Sequence, residues 1–159
     1  MEKKLPYRRC AGIMLFNSSG KVFVGQRIDT YKHAWQLPQG GIEQGEEPRA
    51  AALRELEEEI GTCNVKIIGE IETWLNYDLP PEIKRRLWGG RFRGQTQKWF
   101  AMQFLGEDID INPTSVDKPE FSKWKWSDIE EIQKMAVPFK REIYGTLIRE
   151  FSRFAKVQK

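Results

Sequence analysis

Histidine is almost missing from this chain of 159 residues: His33 stands alone. Cysteine occurs twice, at Cys10 and Cys63, with no CxxC spacing and no second metal-ligand type close by. These scarcities argue against a zinc centre, which draws its ligands chiefly from those two side chains. They also argue against a disulfide framework, so both cysteines are expected as reduced core thiols. No apolar run approaches the ~20 residues of a membrane helix. The opening "MEKKLPYRRC" lacks the apolar stretch of a signal peptide, so the expected location is cytoplasmic, without a membrane. Internal repeats, low-complexity tracts and linkers are also absent, which predicts one domain over residues 1–159. Strong net charge is lacking too. The balance of 26 basic and 23 acidic residues gives +3, too mild for a chain that coats nucleic acid.

A core, by contrast, is well supplied. The chain is 40% hydrophobic and 12% aromatic, with six tryptophans, which excludes disorder. The small net charge hides a segregation. Between Ile42 and Glu59 lie seven acids and two cations. From Lys84 to Lys98 there are six cations (Lys84, Arg85, Arg86, Arg91, Arg93, Lys98) and no acid, and from Phe139 to Lys159 six cations and two acids. An acidic centre with basic flanks suits a metal site that handles a polyanion. Solvated charge on unrelated faces is the plainer reading of the same pattern.

"RRCAGIMLFN" and "KVFVGQRI" flank Ser-Ser-Gly and read as a hairpin. "HAWQLPQGG" reads as a short strand entering a glycine loop. Pro48 opens a helix that Gly61 ends. "NVKIIGEIETWLNYD" is one long strand or a bent pair, and "LPPEIKRRLWGGRFRG" reads as a loop. "QTQKWFAMQFL" and "FSKWKWS" are further strands, joined by a polar connection, and "DIEEIQKM" is helical. Phe139, Ile143, Leu147, Phe151 and Phe154 recur at helical spacing and predict a terminal amphipathic helix. Hairpin links mixed with helices predict an α/β fold with a mixed sheet covered on both faces.

On a helix from Pro48 to Ile60, Glu55, Glu58 and Glu59 share one face, and Ala52, Leu53, Leu56 and Ile60 share a neighbouring one. The acid face is expected to project away from the core. Three adjacent carboxylates repel, and no lysine stands at the spacing that would relieve them. A divalent cation would, and oxygen donors favour Mg²⁺, with Mn²⁺ as the alternative. A solvent-facing acidic helix is the reading without chemistry.

The full spacing is more specific. Gly40, Glu46, Arg54-Glu55-Leu56, Glu58-Glu59 and Gly61 resemble the Nudix hydrolase box, G-x5-E-x7-R-E-U-x-E-E-x-G-U, where U is a bulky aliphatic residue. Thr62 at the last U is the one departure, at a packing position. The resemblance implies a Nudix α/β/α sandwich and cleavage of a diphosphate bond by water with Mg²⁺. It implies Glu55, Glu58, Glu59 and the Gly40 carbonyl as metal ligands. Arg54 would orient the glutamates, with Glu46 as its partner. Glu58 or Glu59 would be the general base.

Further stretches, "YRRCAGIMLFN", "WQLPQGGI", "GQTQKWFAMQF", "PEFSKWKW" and "VPFKREIY", resemble one branch, the RNA pyrophosphohydrolases and the diadenosine polyphosphate hydrolases. In that branch Glu120 matches a further acid near the metals, a second candidate base. Arg8 matches an arginine at the nucleotide end of the substrate, and Phe139 and Lys140 match residues that contact RNA. A phenylalanine can stack on any base and a lysine can meet a phosphate, although core packing is an equal claim on Phe139. Arg27, Gln97 and Lys98 complete the candidate substrate-binding residues, with Gln95 beside them. Strand alternation puts Gln97 and Trp99 on one face and Lys98 and Phe100 on the other, so not all of these can face a site. Trp35, Trp99, Trp124 and Trp126 are expected in the core. The basic stretch "IKRRLWGGRFR" would track a nucleic-acid backbone, or serve as a partner surface or as plain solubilising charge. The implied substrates are 5′-triphosphate RNA or a dinucleoside polyphosphate. A non-catalytic binding module is disfavoured by the intact box.

Overall fold

The computed structural model describes residues 5–29, 31, 33–84 and 87–156, with the side chains of Leu87 and Trp88 left aside. Arg85 and Arg86 of the basic stretch lie outside the described residues.

Among the described residues eight strands form one sheet: β1 (Tyr7–Phe16), β2 (Val22–Arg27), β3 (Trp35–Gln36), β4 (Gln39–Gly41), β5 (Val65–Glu70), β6 (Leu75–Asp78), β7 (Gly94–Phe104) and β8 (Phe121–Ser127). Among the same residues four α-helices accompany it: α1 (Pro48–Ile60), α2 (Pro81–Lys84), α3 (Ile132–Met135) and α4 (Arg141–Phe151). The centre is the parallel pair β1 and β7, in register from Tyr7 opposite Gly94 to Phe16 opposite Gln103. The other pairings are antiparallel, so the sheet is mixed. The predicted hairpin forms at Phe16 and Val22, but its strands part at once. β2 goes on to pair with β3 and β8, and β1 with β4 and β7.

Both faces of the sheet are covered, which explains the nearly continuous apolar runs of β1 and β7. On one face Ala11, Ile13 and Leu15 of β1 and Phe100 and Met102 of β7 meet Ala51, Ala52, Leu56 and Ile60 of α1. On the other, Met14, Phe16, Trp99 and Ala101 meet Ile143, Tyr144, Leu147 and Phe151 of α4. Burial of each leucine, isoleucine, methionine or phenylalanine among these contributes roughly 1.5–3 kcal/mol. The α/β sandwich with helices on both faces is therefore as the pattern predicted.

Of the two forms expected for the long β-rich stretch the structure has the pair, β5 and β6, both laid against β7. Other expectations change. The presumed loop after Leu79 contains α2 and a 3₁₀ turn at Leu87–Gly90, closed at its base where Arg93 accepts the Leu79 N–H at 2.8 Å. The last helix begins at Arg141, because Pro138–Lys140 form a 3₁₀ turn, and Phe154 sits in another. Cys10 is buried, but Cys63 is exposed rather than in the core. Of the tryptophans, Trp99 is fully enclosed, while Trp35, Trp124 and Trp126 are only partly so.

Candidate active site

Helix α1 runs from Pro48 to Ile60, and Gly61 ends it with left-handed backbone at φ 88°. Its two functional faces are not equivalent. Glu58 is on the open side, its side chain 58% exposed. Glu59, expected on a projecting acid face, is instead 3% exposed. The reason lies in the turn of the helix: Glu59 follows Leu56 by three residues and so inherits the sheet-facing stripe. Its Oε2 accepts the Gln39 N–H at 3.1 Å, and its buried Oε1 accepts no hydrogen bond from the described residues. Burial, then the carboxylates of Glu120 and Glu55, push its pKa well above the usual range. Glu55 is raised for the same first reason, burial, against the pull of Arg54.

Arg54 is the hub of the acidic end. Nε and Nη2 bind the Glu46 carboxylate at 2.8 and 2.9 Å, a two-point contact. Nη2 also reaches the Gly41 carbonyl at 2.8 Å, and Nη1 donates to Glu55 at 2.9 Å and Glu58 at 3.3 Å. Glu46 gains a further bond from the Glu43 N–H, and the two donors, Arg54 first, hold its pKa down at about 2. The repulsion expected among the helix acids is thus partly answered by an arginine one residue away, not by a lysine at i+4. Two glycines let the parts approach. A Cβ at Gly40 would collide with the Glu55 carboxylate, and one at Gly41 with the Arg8 guanidinium.

The residues fit a hard divalent cation by their chemistry: carboxylates of Glu55, Glu58, Glu59 and Glu120 around the Gly40 strand, and an orphaned buried oxygen on Glu59. Among the described residues, no three acidic, histidine or cysteine side chains converge into a ready-made cage. Glu55 and Glu58 instead turn towards Arg54.

A cleft of about 600 Å³ begins at Gly40, Glu55 and Glu120 and continues past Arg8, Arg27, Phe139 and Lys140. Its far wall is aromatic. Phe139 packs on Tyr31 at 5.8 Å and Tyr77 at 5.6 Å between ring centroids. Arg27 lies over Tyr31 at 5.2 Å and is ion-paired with Asp29. The structure therefore brings Arg8, Arg27, Phe139, Lys140 and Glu120 to one cleft with Gly40 and Glu55. Glu58 and Glu59 lie on the adjoining hollow, which shares Glu55 and Glu120.

Gln97 and Lys98 are not in the cleft wall. Gln97 is buried, accepts the Trp99 Nε1–H at 2.9 Å and donates to Gln95 at 2.7 Å. Gln95, its partner, does line the cleft. Lys98 points to the opposite face, bound to Glu70 at 3.1 Å and to the Ile71 carbonyl at 2.8 Å. Tyr31, Tyr77 and Gln36 line the cleft but were not singled out from sequence. Tyr31 falls in a connecting segment, and Tyr77 and Gln36 in short strands, where no periodicity marks them.

The model of the NUDIX domain matches residues 6–147. An RNA pyrophosphohydrolase of Rhodospirillum rubrum is 53% identical over 154 residues, covering 97% of this chain and 92% of the relative. One of Roseobacter denitrificans is 52% identical over 150 residues, covering 93% of each. Among solved structures, the E. coli dihydroneopterin triphosphate pyrophosphohydrolase superposes with TM-score 0.71 at 21% identity, over 91% of this chain and 99% of the other. A C. elegans Ap4A hydrolase superposes with TM-score 0.65 at 21% identity, over 91% and 96%. At that identity the last two speak for the fold alone.

Proposed function

The chain belongs to the NUDIX domain family, and on that premise we propose that it is an RNA 5′-pyrophosphohydrolase: water cleaves the phosphoanhydride linkage of a 5′-triphosphate end to leave a 5′-monophosphate, releasing pyrophosphate, or phosphate stepwise. The observation that carries this reading is a cleft with carboxylates at one end and a cationic, aromatic wall at the other. It accommodates a phosphate chain beside the acids and the first nucleotides along the wall. The relatives named RNA pyrophosphohydrolase, about half identical over nearly the whole chain, support the same reading.

The family works with divalent cations; for this chain we propose Mg²⁺, with Mn²⁺ as a substitute, on the oxygen donors alone. Glu55, Glu58, Glu59, Glu120 and the Gly40 carbonyl would hold it. When bound, such an ion polarises phosphoryl oxygens and lowers the pKa of water. Arg54 keeps Glu55 and Glu58 oriented, while Glu46 keeps Arg54 in place. A carboxylate among Glu58, Glu59 and Glu120 takes the proton of the attacking water. Arg8, Arg27 and Lys140 balance the substrate's phosphates, and Phe139 stacks on a base. Gln97 supports the wall through Gln95, and Lys98 remains outside. The exposed Arg91 and the neighbouring Arg93 would meet the RNA backbone beyond the cleft.

The test is the product. With a divalent cation, a short 5′-triphosphate RNA should yield the 5′-monophosphate, and Glu58→Gln should slow that conversion roughly 10²–10⁴-fold with the far-UV spectrum unchanged. An RNA left intact by the wild type would overturn the reading.

A further inference from the structure

The wall of the cleft holds one cation in unusual company. Lys140 is only 6% exposed, and its Nζ donates to the Gln36 Oε1 at 3.0 Å. Gln36 is itself buried and lines the same cleft. Buried ammonium groups are ordinarily paired with a carboxylate. Among the described residues Lys140 makes no ion pair, and its hydrogen-bond acceptor is a neutral amide.

The groups that bear on it come from several elements. Arg27, at the end of β2, opposes its charge; Cys10 of β1, Glu59 of α1 and Asp29 after β2 favour it. Asp29 is already engaged with Arg27, and Glu59 is turned to the Gln39 N–H. Burial first, then Arg27, push the Lys140 pKa down to about 8. The turn Pro138–Lys140 places this side chain directly after Phe139, so the cation and the aromatic wall are set by one short segment.

Glutamine and glutamate have nearly the same shape and reach. A glutamate at position 36 would give Lys140 an internal counter-charge. Glutamine gives it an acceptor and no charge. We propose that Gln36 is a positioning residue: it fixes Lys140 in the cleft wall while leaving its positive charge uncompensated for a phosphate of the substrate. The proposal rests on the reading of the cleft as a site for a phosphate chain.

Gln36→Glu is the discriminating variant, with Gln36→Met as the neutral control that removes the acceptor. In Gln36→Glu, KM for the 5′-triphosphate RNA should rise roughly tenfold or more, the scale of one charge-assisted hydrogen bond, with kcat changed far less. In the wild type kcat/KM should fall above a pH of about 8 as Lys140 loses its proton. That limb should move upward in Gln36→Glu and downward in Gln36→Met. A role in packing alone would not move it. An unchanged KM and limb in Gln36→Glu would overturn the proposal.

A second readout does not depend on cleavage. The Lys140 side chain of the full-length protein is titrated by NMR with and without inorganic triphosphate, its resonance assigned with Lys140→Arg. Triphosphate should raise the Lys140 pKa in the wild type and leave it nearly still in Gln36→Glu, where it starts higher. A wild-type Lys140 indifferent to triphosphate would refute the proposal. A responsive Lys140 in a protein that leaves RNA intact would sink the substrate reading and spare the role of Gln36.

Discussion

The two ends of the cleft are built in opposite ways. Apart from Glu120, just before β8, the acidic end comes from one continuous stretch, Gly40 to Gly61, folded back on itself by a strand, a turn and α1. The cationic, aromatic end is collected from β1, β2, β6, the segment after β2 and the turn before α4. Glu59 and Lys140 show the same contrast in charge. Both are buried ionisable groups whose charged forms are disfavoured by burial. The first leaves an oxygen without a partner, and the second rests on a neutral amide. At each end the protein's own counter-ion, Arg54 among the acids and Asp29 beside Arg27, answers the charge only in part. A divalent cation with a polyphosphate would neutralise both.

The contrast can be broken most severely at the acidic end. Glu58→Gln and Glu59→Gln should each lower kcat roughly 10²–10⁴-fold, the range for a group that transfers a proton or holds the activating metal. If both variants turned over at the wild-type rate, the acidic end would be a structural feature only. Arg54→Ala should come next, weakening divalent-cation affinity about 10–100-fold, as loss of a ligand-orienting partner does; isothermal titration with Mg²⁺ measures it. At the aromatic end Phe139→Ala should lower kcat/KM on RNA by roughly 5–100-fold, the equivalent of one stacking contact of about 1–3 kcal/mol. Lys98→Ala should be the mildest, within about twofold in kcat/KM, since Lys98 is bound to Glu70 and the Ile71 carbonyl on the face away from the cleft.

Stability against pH sharpens the same comparison. The folded-state pKa of Glu59 is raised, so in metal-free protein its protonated form adds stability that is complete below the unfolded carboxylate pKa. That stability is lost as pH rises towards the raised folded value. Lys140, with a depressed pKa, behaves oppositely: its penalty is full below about pH 8 and relieved as pH rises towards the unfolded value. Metal-free Glu59→Gln should therefore melt higher than wild type at neutral pH. An equal or lower Tm would mean that the buried carboxylate is not strained by its charge.

The acidic end was legible because its chemistry is local. Glycine, glutamate and arginine positions within 22 residues fix a loop and a helix face, and the helix boundaries follow from Pro48 and Gly61. Even there, helical spacing alone groups Glu59 with Glu55 and Glu58, whereas Glu59 shares the buried stripe with Leu56 and Ile60. The other end was legible only in part. Phe139 and Lys140 follow from the branch resemblance, but helical periodicity extended the last helix over them, whereas Pro138 starts a 3₁₀ turn that swings Phe139 onto Tyr31 and Tyr77. No local pattern in the chain announces that meeting, because it depends on pairing between segments far apart in sequence. Strand alternation did separate Gln97 from Lys98, and Lys98 falls on the face away from the cleft.

If the cationic, aromatic wall selects RNA ends, kcat/KM measured side by side with Mg²⁺ on a short 5′-triphosphate RNA with an unpaired 5′ end and on diadenosine tetraphosphate should clearly favour the RNA, leaving a 5′-monophosphate. Phe139→Ala should erase that preference. A clear preference for the dinucleotide, untouched by Phe139→Ala, would mean that the wall does not select RNA.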